Sequence, residues 1–342
     1  MSGTPRARRR NNQHGEFLLE REFEVGPQRV RIRFAGPALI DVLTPALDHL
    51  SASRPASEAA RTLHVYVFES KSTATPMPPP PWGPDCYGAR GEIAGFNTSR
   101  FRTVYQPGMD ILHILDRQRA AAIYWVCERD LIPYWERSFP LRTVLHWWMI
   151  GQPYQLLHAA AVGSGEGGVL ITGPSGSGKS TTALACLEGG MSYAGDDYVL
   201  AGLDPPWVSS LYGTAKLAPD NVHRFPDLAR WITNPDRLGS EKALLFLKCA
   251  RPRQLSRGFA IRAVLTPRVT GRKETRLVPV SPMVSLQALA PTTVLHLPGG
   301  GADMLEKMSR LVKAVPNYVL EAGTDLSRIP EVIGTLLRGA SA

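Results

Sequence analysis

The segment Gly173-Pro174-Ser175-Gly176-Ser177-Gly178-Lys179-Ser180 constrains this chain more than any other. It fits G-x-x-x-x-G-K-[ST], a glycine loop that works only between a strand and a helix. Both neighbours are legible. Gly168-Val169-Leu170-Ile171-Thr172 is a short apolar, β-branched run that reads as a buried strand. Thr181 to Glu188 reads as a helix, stopped by Gly189-Gly190. In such a loop, backbone N–H groups at the helix N-terminus bind phosphate oxygens. Gly176 and Gly178 permit torsions that a Cβ blocks. Lys179 is placed to reach the β- and γ-phosphates, and the Ser180 hydroxyl to ligate Mg²⁺. The binding set is Gly173, Pro174, Ser175, Gly176, Ser177, Gly178, Lys179, Ser180 and Thr181.

One short helix later comes Asp196-Asp197, at the end of Met191-Ser192-Tyr193-Ala194-Gly195. The helix is short, so the chain returns as a second strand parallel to the first. The right-handed crossover rule then puts both C-terminal strand ends on one edge. Two adjacent acids there can divide labour: one holds Mg²⁺, the other accepts a proton from an attacking hydroxyl. Upstream, Leu156-Leu157-His158-Ala159-Ala160-Ala161-Val162 is separated from the loop's strand by the turn Gly163 to Gly168, which predicts a hairpin. Pairing Gly163 with Gly168 places His158 opposite Gly173. A histidine there can orient an aspartate or touch a transferred phosphoryl; equally, a lone histidine in an apolar run can be a core residue.

His158, the loop 173–180, and Ala194-Gly195-Asp196-Asp197 together resemble the HPr kinase/phosphorylase family, in order and spacing, over roughly residues 155–200. The resemblance implies Asp196 as catalytic base supported by His158, with Asp197 and Ser180 toward Mg²⁺, and Lys179 on the phosphates. There are departures. Thr181-Thr182 stands where the family usually carries Glu-Thr, and the downstream Arg-Gly-Leu-Gly-Ile stretch is replaced by Leu211 to Leu217 and His223-Arg224-Phe225-Pro226. In this the chain is similar to the HPr-kinase-related serine kinases, including those found with lasso-peptide biosynthesis, which phosphorylate a serine of a precursor peptide. The resemblance therefore implies kinase rather than phosphorylase activity, with ATP and Mg²⁺ as cofactors.

Outside the motifs, composition sets bounds. The chain has 342 residues, room for two domains. The expected organisation is a disordered basic tail over 1–15, a strand-rich α+β domain over 16–138 for docking or oligomerisation, and an α/β P-loop domain of HPr-kinase-like type over 139–342. In the first domain, strands are expected at Arg29 to Phe34, Leu63 to Phe68 and Ala121 to Cys127. A hairpin is expected around Pro107-Gly108, and a helix at Pro37 to Leu50. A helix over Phe139 to Ile150 leads into the second domain. The cysteines Cys86, Cys127, Cys186 and Cys249 are scattered, without a C-x-x-C pair, which favours a reducing, cytoplasmic setting. The run Val144 to Val162 is too interrupted by polar residues to span a membrane.

The net charge of +9 suits an acidic peptide or small-protein substrate, or ATP. Arg8-Arg9-Arg10 lacks the aromatics and docking motif of a nucleic-acid surface. A kinase needs cations near the γ-phosphoryl, and Lys216 and Arg224 are the candidates. The basic loop Arg251 to Gly258 is a candidate lid or peptide clamp. A homo-oligomer is compatible with this reading. Two other classes stay open: a small-molecule P-loop kinase, and a nucleotide-gated binding protein without phosphotransfer.

Overall fold

A computed structural model describes residues 19–52 and 61–339; the expected basic tail over 1–15 lies outside them. The chain divides into two units, Met1–Trp148 and Met149–Ala342. The division falls ten residues beyond the boundary expected at 138/139. The helix α1 (Arg142–Met149) packs with the first unit, where the Arg61 guanidinium lies 4.5 Å from the Trp148 ring centre.

The first unit is a six-stranded mixed sheet of β1 (Leu19–Val25), β2 (Gln28–Phe34), β3 (Thr62–Glu69), β4 (Phe101–Gln106), β5 (Ile111–Asp116) and β6 (Ala121–Val126), ordered β1-β2-β3-β6-β5-β4. The expected hairpin is β4–β5, with Gln106 opposite Ile111. Val30, Ile32 and Phe34 turn into the core, while Arg29, Arg31 and Arg33 stand opposite Glu24, Glu22 and Glu20. Arg33 Nε lies 2.9 Å from Glu20 and Arg29 Nη1 3.3 Å from Glu22. This basic stripe is thus neutralised within the sheet. The single helix expected over Pro37 to Leu50 is replaced by a 3₁₀ turn, Pro37–Leu39, that runs into one α-helical turn, Ile40–Leu43, and by a detached 3₁₀ turn, Asp48–Leu50. Pro45 explains the break: it lacks an N–H and its ring clashes with the preceding turn. The apolar residues Leu39, Val42, Leu43, Leu47 and Leu50 are buried nonetheless.

The second unit is built on a nine-stranded mixed sheet. Its strands are β7 (Tyr154–Leu157), β8 (Ala160–Ser164), β9 (Gly167–Ile171), β10 (Ser192–Gly195), β11 (Val199–Leu203), β12 (Pro206–Ser210), β15 (Gly258–Val269), β16 (Arg276–Pro279) and β17 (Asn317–Ala322). The main path runs β10-β8-β9-β15-β12-β11-β7, with β17 parallel to β15 and β16 antiparallel to β17. A separate ribbon pairs β13 (Thr214–Leu217) with β14 (Ala243–Phe246). The longer helices are α2 (Lys179–Glu188), α3 (Pro282–His296), α4 (Gly301–Ala314) and α5 (Arg328–Gly339). The sides of α2 facing the sheet and the ribbon carry Ala183, Leu184 and Leu187. They share one buried cluster with Val169 and Ile171 of β9, Tyr193 of β10, Ala215 of β13, and Ile333 and Leu337 of α5. That packing fixes the loop between β9 and α2.

The hairpin β8–β9 has the expected register, Gly163 opposite Gly168. Glycine is required at 168, where a Cβ would come within 2.2 Å of the Phe259 ring. The strand β10 runs antiparallel to β8, hence in the same direction as β9, but β8 lies between them. Among the described residues, no helix is long and apolar enough to cross a membrane, and none of the four cysteines is in a disulfide.

Candidate active site

The glycine loop has the backbone its sequence requires. Gly176 has φ +80° and Gly178, the residue before α2, φ +99°, both in the region that favours glycine. A side chain on Gly173 would meet Ser177 Oγ at 2.7 Å. Lys179 begins α2 and is 8% exposed. Its ammonium donates to the carbonyls of Gly173 (2.7 Å) and Pro174 (3.1 Å), so it lies folded under the loop. Burial lowers its pKa, against the raising influence of Asp196 and Asp197.

The aspartate pair sits where β10 ends. The β13 ribbon reaches the same place: Tyr193 Oη donates to the Thr214 carbonyl (2.8 Å), and the Lys216 N–H donates to Asp196 Oδ2 (3.3 Å). The Lys216 ammonium lies 3.0 Å from Asp197 Oδ2. Ser180, one residue into α2, and Lys179 before it both act on the aspartates: Ser180 lowers the Asp196 pKa, and the Asp196 charge raises that of Lys179. The loop, the aspartates and one of the two candidate cations therefore meet. Arg224 does not join them: it ends a 3₁₀ turn beyond β13 and makes no hydrogen bond or ion pair with either aspartate. The 251–257 loop is tied to the C-terminal end of α2 and to β10. Arg251 pairs with Glu188 (2.7 Å), and Gln254 and Ser256 bond the backbone of Tyr193. Arg251 is thereby fixed at the far end of α2, about 13 Å along the helix from its first residue. It cannot act as a lid cation from there.

His158 departs from expectation in two ways. It is not opposite Gly173: the last rung of the β8–β9 ladder is Ala160 with Ile171, and β7 pairs instead with β11. His158 therefore lies at the crossing between two partners. Its closest carboxylate is also Asp197, not Asp196, with Nε2 to Oδ1 at 3.8 Å. The backbone of His158 is anchored by α3, as its N–H donates to Thr293 Oγ1 (3.1 Å). Its ring stacks on His296 at 4.7 Å and leans on Tyr198 at 5.3 Å, and the Tyr198 hydroxyl lies 3.1 Å from His296 Nδ1. Sequence reasoning missed Tyr198, His296 and Thr293. A signal existed for two of them: Tyr198 follows the acids directly, and His296 is the only ionisable residue of its helix.

The two carboxyls are driven apart. Burial, and then the charge of Asp197, raise the Asp196 carboxyl to about 7, against the lowering influence of Ser180 and of the Lys216 N–H. Burial would also raise Asp197, but the Lys216 charge, together with the contacts to His158 and Lys216, outweighs it and holds Asp197 well below the usual carboxylate range. Burial lowers the His158 pKa, so its imidazole is neutral at pH 7. Like charges side by side leave one carboxylate ionised and make the other basic, the pattern that separates a fixed anion from a proton acceptor. Asp196 Oδ1, Ser177 Oγ and Thr182 Oγ1 are buried and have no hydrogen-bond partner. Buried polar atoms of this kind are costly unless a ligand or water completes them.

Among solved structures, the HPr(Ser) kinase/phosphatase from Coxiella burnetii is similar over 54% of this chain and 95% of its own, at 16% identity and a TM-score of 0.29. No family model and no curated protein matches the chain.

Proposed function

We propose that this chain is an ATP- and Mg²⁺-dependent serine kinase that transfers the γ-phosphoryl of ATP to a hydroxyl of a peptide or small protein, a lasso-peptide precursor being one such substrate. The observation that carries this reading is Asp196, a buried, proton-hungry carboxyl whose charge acts on Lys179 of the phosphate-type loop and whose Oδ1 has no partner.

The residues fit the ligands they would hold. The loop 173–181 would take the phosphates through its N–H groups. Ser180 and the anionic Asp197 would hold Mg²⁺, whose remaining ligands come from phosphate and water. When bound, Mg²⁺ supplies positive charge next to the phosphates. Lys179 exchanges its two carbonyl acceptors for phosphate oxygens. Asp196 accepts the serine proton as the Ser Oγ–P bond forms and the bond from phosphorus to the ADP oxygen breaks. Lys216 keeps Asp197 ionised, and the neutral His158 positions Asp197 from the other side. Arg224 has no role in this arrangement.

The test separates binding from transfer. Calorimetry measures MgATP affinity, and transfer of label from [γ-³²P]ATP to serine peptides measures turnover. Asp196→Asn is expected to bind MgATP within about threefold of wild type and to lose transfer by at least about a thousandfold, in the range for removal of a positioned base. Unchanged transfer in Asp196→Asn would exclude Asp196 as the base. MgATP binding with no transfer to any hydroxyl would favour the nucleotide-gated reading.

A further inference from the structure

Sheet pairing leaves His158 outside both of its ladders. On the β7 side the last rung is Leu157 opposite Val199, and on the β8 side the first is Ala160 opposite Ile171. Its backbone is held instead by α3, through Thr293 Oγ1 at 3.1 Å. Its ring has weaker polar anchors. Nε2 reaches Asp197 only at 3.8 Å, and Nδ1 is buried with no hydrogen-bond partner. A histidine that serves a charged neighbour is normally oriented by a hydrogen bond at its other nitrogen. Here nothing bonds that nitrogen, so the angle of the ring is set another way.

Two aromatic rings touch it. His296, the last residue of α3, stacks on His158 with ring centres 4.7 Å apart and planes 17° apart. Tyr198, directly after the aspartates, leans on His158 at 5.3 Å. The Tyr198 hydroxyl lies 3.1 Å from His296 Nδ1, so the two rings that touch His158 also hold each other. His296 is exposed, while His158 is 7% exposed. An exposed ring stacked on a buried one covers it from water. With the Asp197 carboxylate on its Nε2 side, the neutral His158 ring carries its proton on Nε2 and leaves Nδ1 bare. Water at Nδ1 would favour other ring angles and the other tautomer.

We propose that Tyr198 and His296 are positioning residues for the candidate active site. Their linked rings stand in for the Nδ1 hydrogen bond, aim the Nε2–H of His158 at Asp197, and keep water from Nδ1. Both act through His158, and α3 thereby sets the geometry of a carboxylate more than a hundred residues upstream. The effect on phosphotransfer rests on the kinase reading; the ring arrangement does not. Stacking depends on ring shape and contact area, so a phenyl ring can take over the part played by the His296 imidazole.

The test uses the full chain as wild type, His296→Ala, His296→Phe and Tyr198→Phe. Long-range ¹H–¹⁵N spectra of protein labelled with ¹⁵N-histidine report which His158 nitrogen carries the proton, and His158→Gln identifies those signals by removing them. Serine-peptide phosphorylation gives kcat, and calorimetry gives MgATP affinity.

Wild type is expected to show one His158 form, protonated on Nε2. His296→Ala shifts the His158 signals toward a mixture of tautomers and lowers kcat at least about tenfold, within the range for a displaced group at a reaction centre. MgATP affinity stays within about twofold. His296→Phe restores the single His158 form and most of the lost kcat, and Tyr198→Phe falls between. Unchanged His158 signals in His296→Ala overturn the proposal and leave the kinase reading standing. Shifted signals with unchanged kcat overturn it too, because the rings then have no bearing on transfer. Equal losses of kcat and MgATP affinity, not restored by His296→Phe, show a merely structural role and also overturn it. Shifted signals restored by His296→Phe, in a protein that phosphorylates no peptide, support the ring arrangement and remove the kinase reading.

Discussion

Replacing Lys216 by methionine tests the electrostatics of the site without touching the glycine loop. The ammonium lies 3.0 Å from Asp197 Oδ2, with the two side chains 11% and 23% exposed. At an effective dielectric constant of about 20, two unit charges at that distance attract by about 5 kcal/mol. Partial exposure of Asp197 and relaxation around it reduce the realised loss to about 3 kcal/mol, near the lower end for breaking a buried pair. Methionine keeps most of the volume, so the loss is electrostatic rather than a cavity effect.

The pH dependence follows from the direction of the shift. In wild type, the folded Asp197 pKa lies below its unfolded value of about 3.9, so its contribution to stability is present at neutral pH and is lost only in strong acid. In Lys216→Met, burial and the neighbouring Asp196 raise the folded pKa above the unfolded one. The variant is then penalised at neutral pH and recovers as acid neutralises the carboxyl. Urea unfolding followed by tryptophan fluorescence should show Lys216→Met less stable by about 3 kcal/mol at pH 7, and the difference should shrink as the pH falls to 4.5. Adding Asp197→Asn to Lys216→Met should recover at least about 1 kcal/mol at pH 7, because no unpaired charge is then left buried. Arg224→Met should stay within about 0.5 kcal/mol of wild type, as a surface change does. A Lys216→Met loss that is independent of pH, or no loss, would refute the claim that this lysine holds Asp197 ionised.

Further outcomes follow from the same geometry. Lys179→Met should weaken MgATP binding at least tenfold by calorimetry, since it removes the cation beneath the loop; unchanged affinity would place the nucleotide elsewhere. Thr293→Val removes the acceptor for the His158 N–H and should cost about 1–2 kcal/mol in urea, the penalty for a buried donor left unpaired. It should also slow phosphotransfer more than it changes MgATP affinity. In the first unit, burial holds the His113 ring at about 3, so its unfolded form gains a proton first as pH falls below about 6.5 and stability is lost. Between pH 7 and 5 that loss is about 2 kcal/mol. Glu136, raised to about 7 by burial, changes in the opposite sense over the same range. The comparison is therefore between proteins: His113→Phe should become more stable relative to wild type by about 2 kcal/mol on going from pH 7 to 5, as read from urea midpoints.

The glycine loop, its flanking strand and helix, the Gly163–Gly168 register and the position of Asp196-Asp197 were legible because each depends on local sequence. Glycine supplies positive φ, and an apolar run ends at a turn. What could not be read is set by contacts distant in sequence. Thr293 and His296 come from α3, more than a hundred residues beyond His158, and nothing in spacing brings that helix to the histidine. His158 was assigned to Asp196 on the premise that the hairpin continued to residue 158. The premise failed because β7 exchanges β9 for β11 as its neighbour, a choice made by sheet packing. Lys216 was found and Arg224 was not separable from it, since both follow the acids and only the β13–β14 ribbon decides which one returns. The first unit's boundary moved for a similar reason: Trp148 is held by Arg61, a partner that lies far upstream. Pro45 was the opposite case, a local signal against the single helix over 37–50 that outweighs its apolar spacing.

Intact-mass measurement follows the phosphoryl transfer directly. Small acidic peptides, each in a serine and a serine-to-alanine form, are incubated with MgATP and wild-type protein or Asp196→Asn. A gain of about 80 Da, the mass of one phosphoryl group, is expected on a serine peptide with wild-type protein, and none on its alanine form or with Asp196→Asn. An equal gain with Asp196→Asn, or on the alanine form, would contradict the kinase reading.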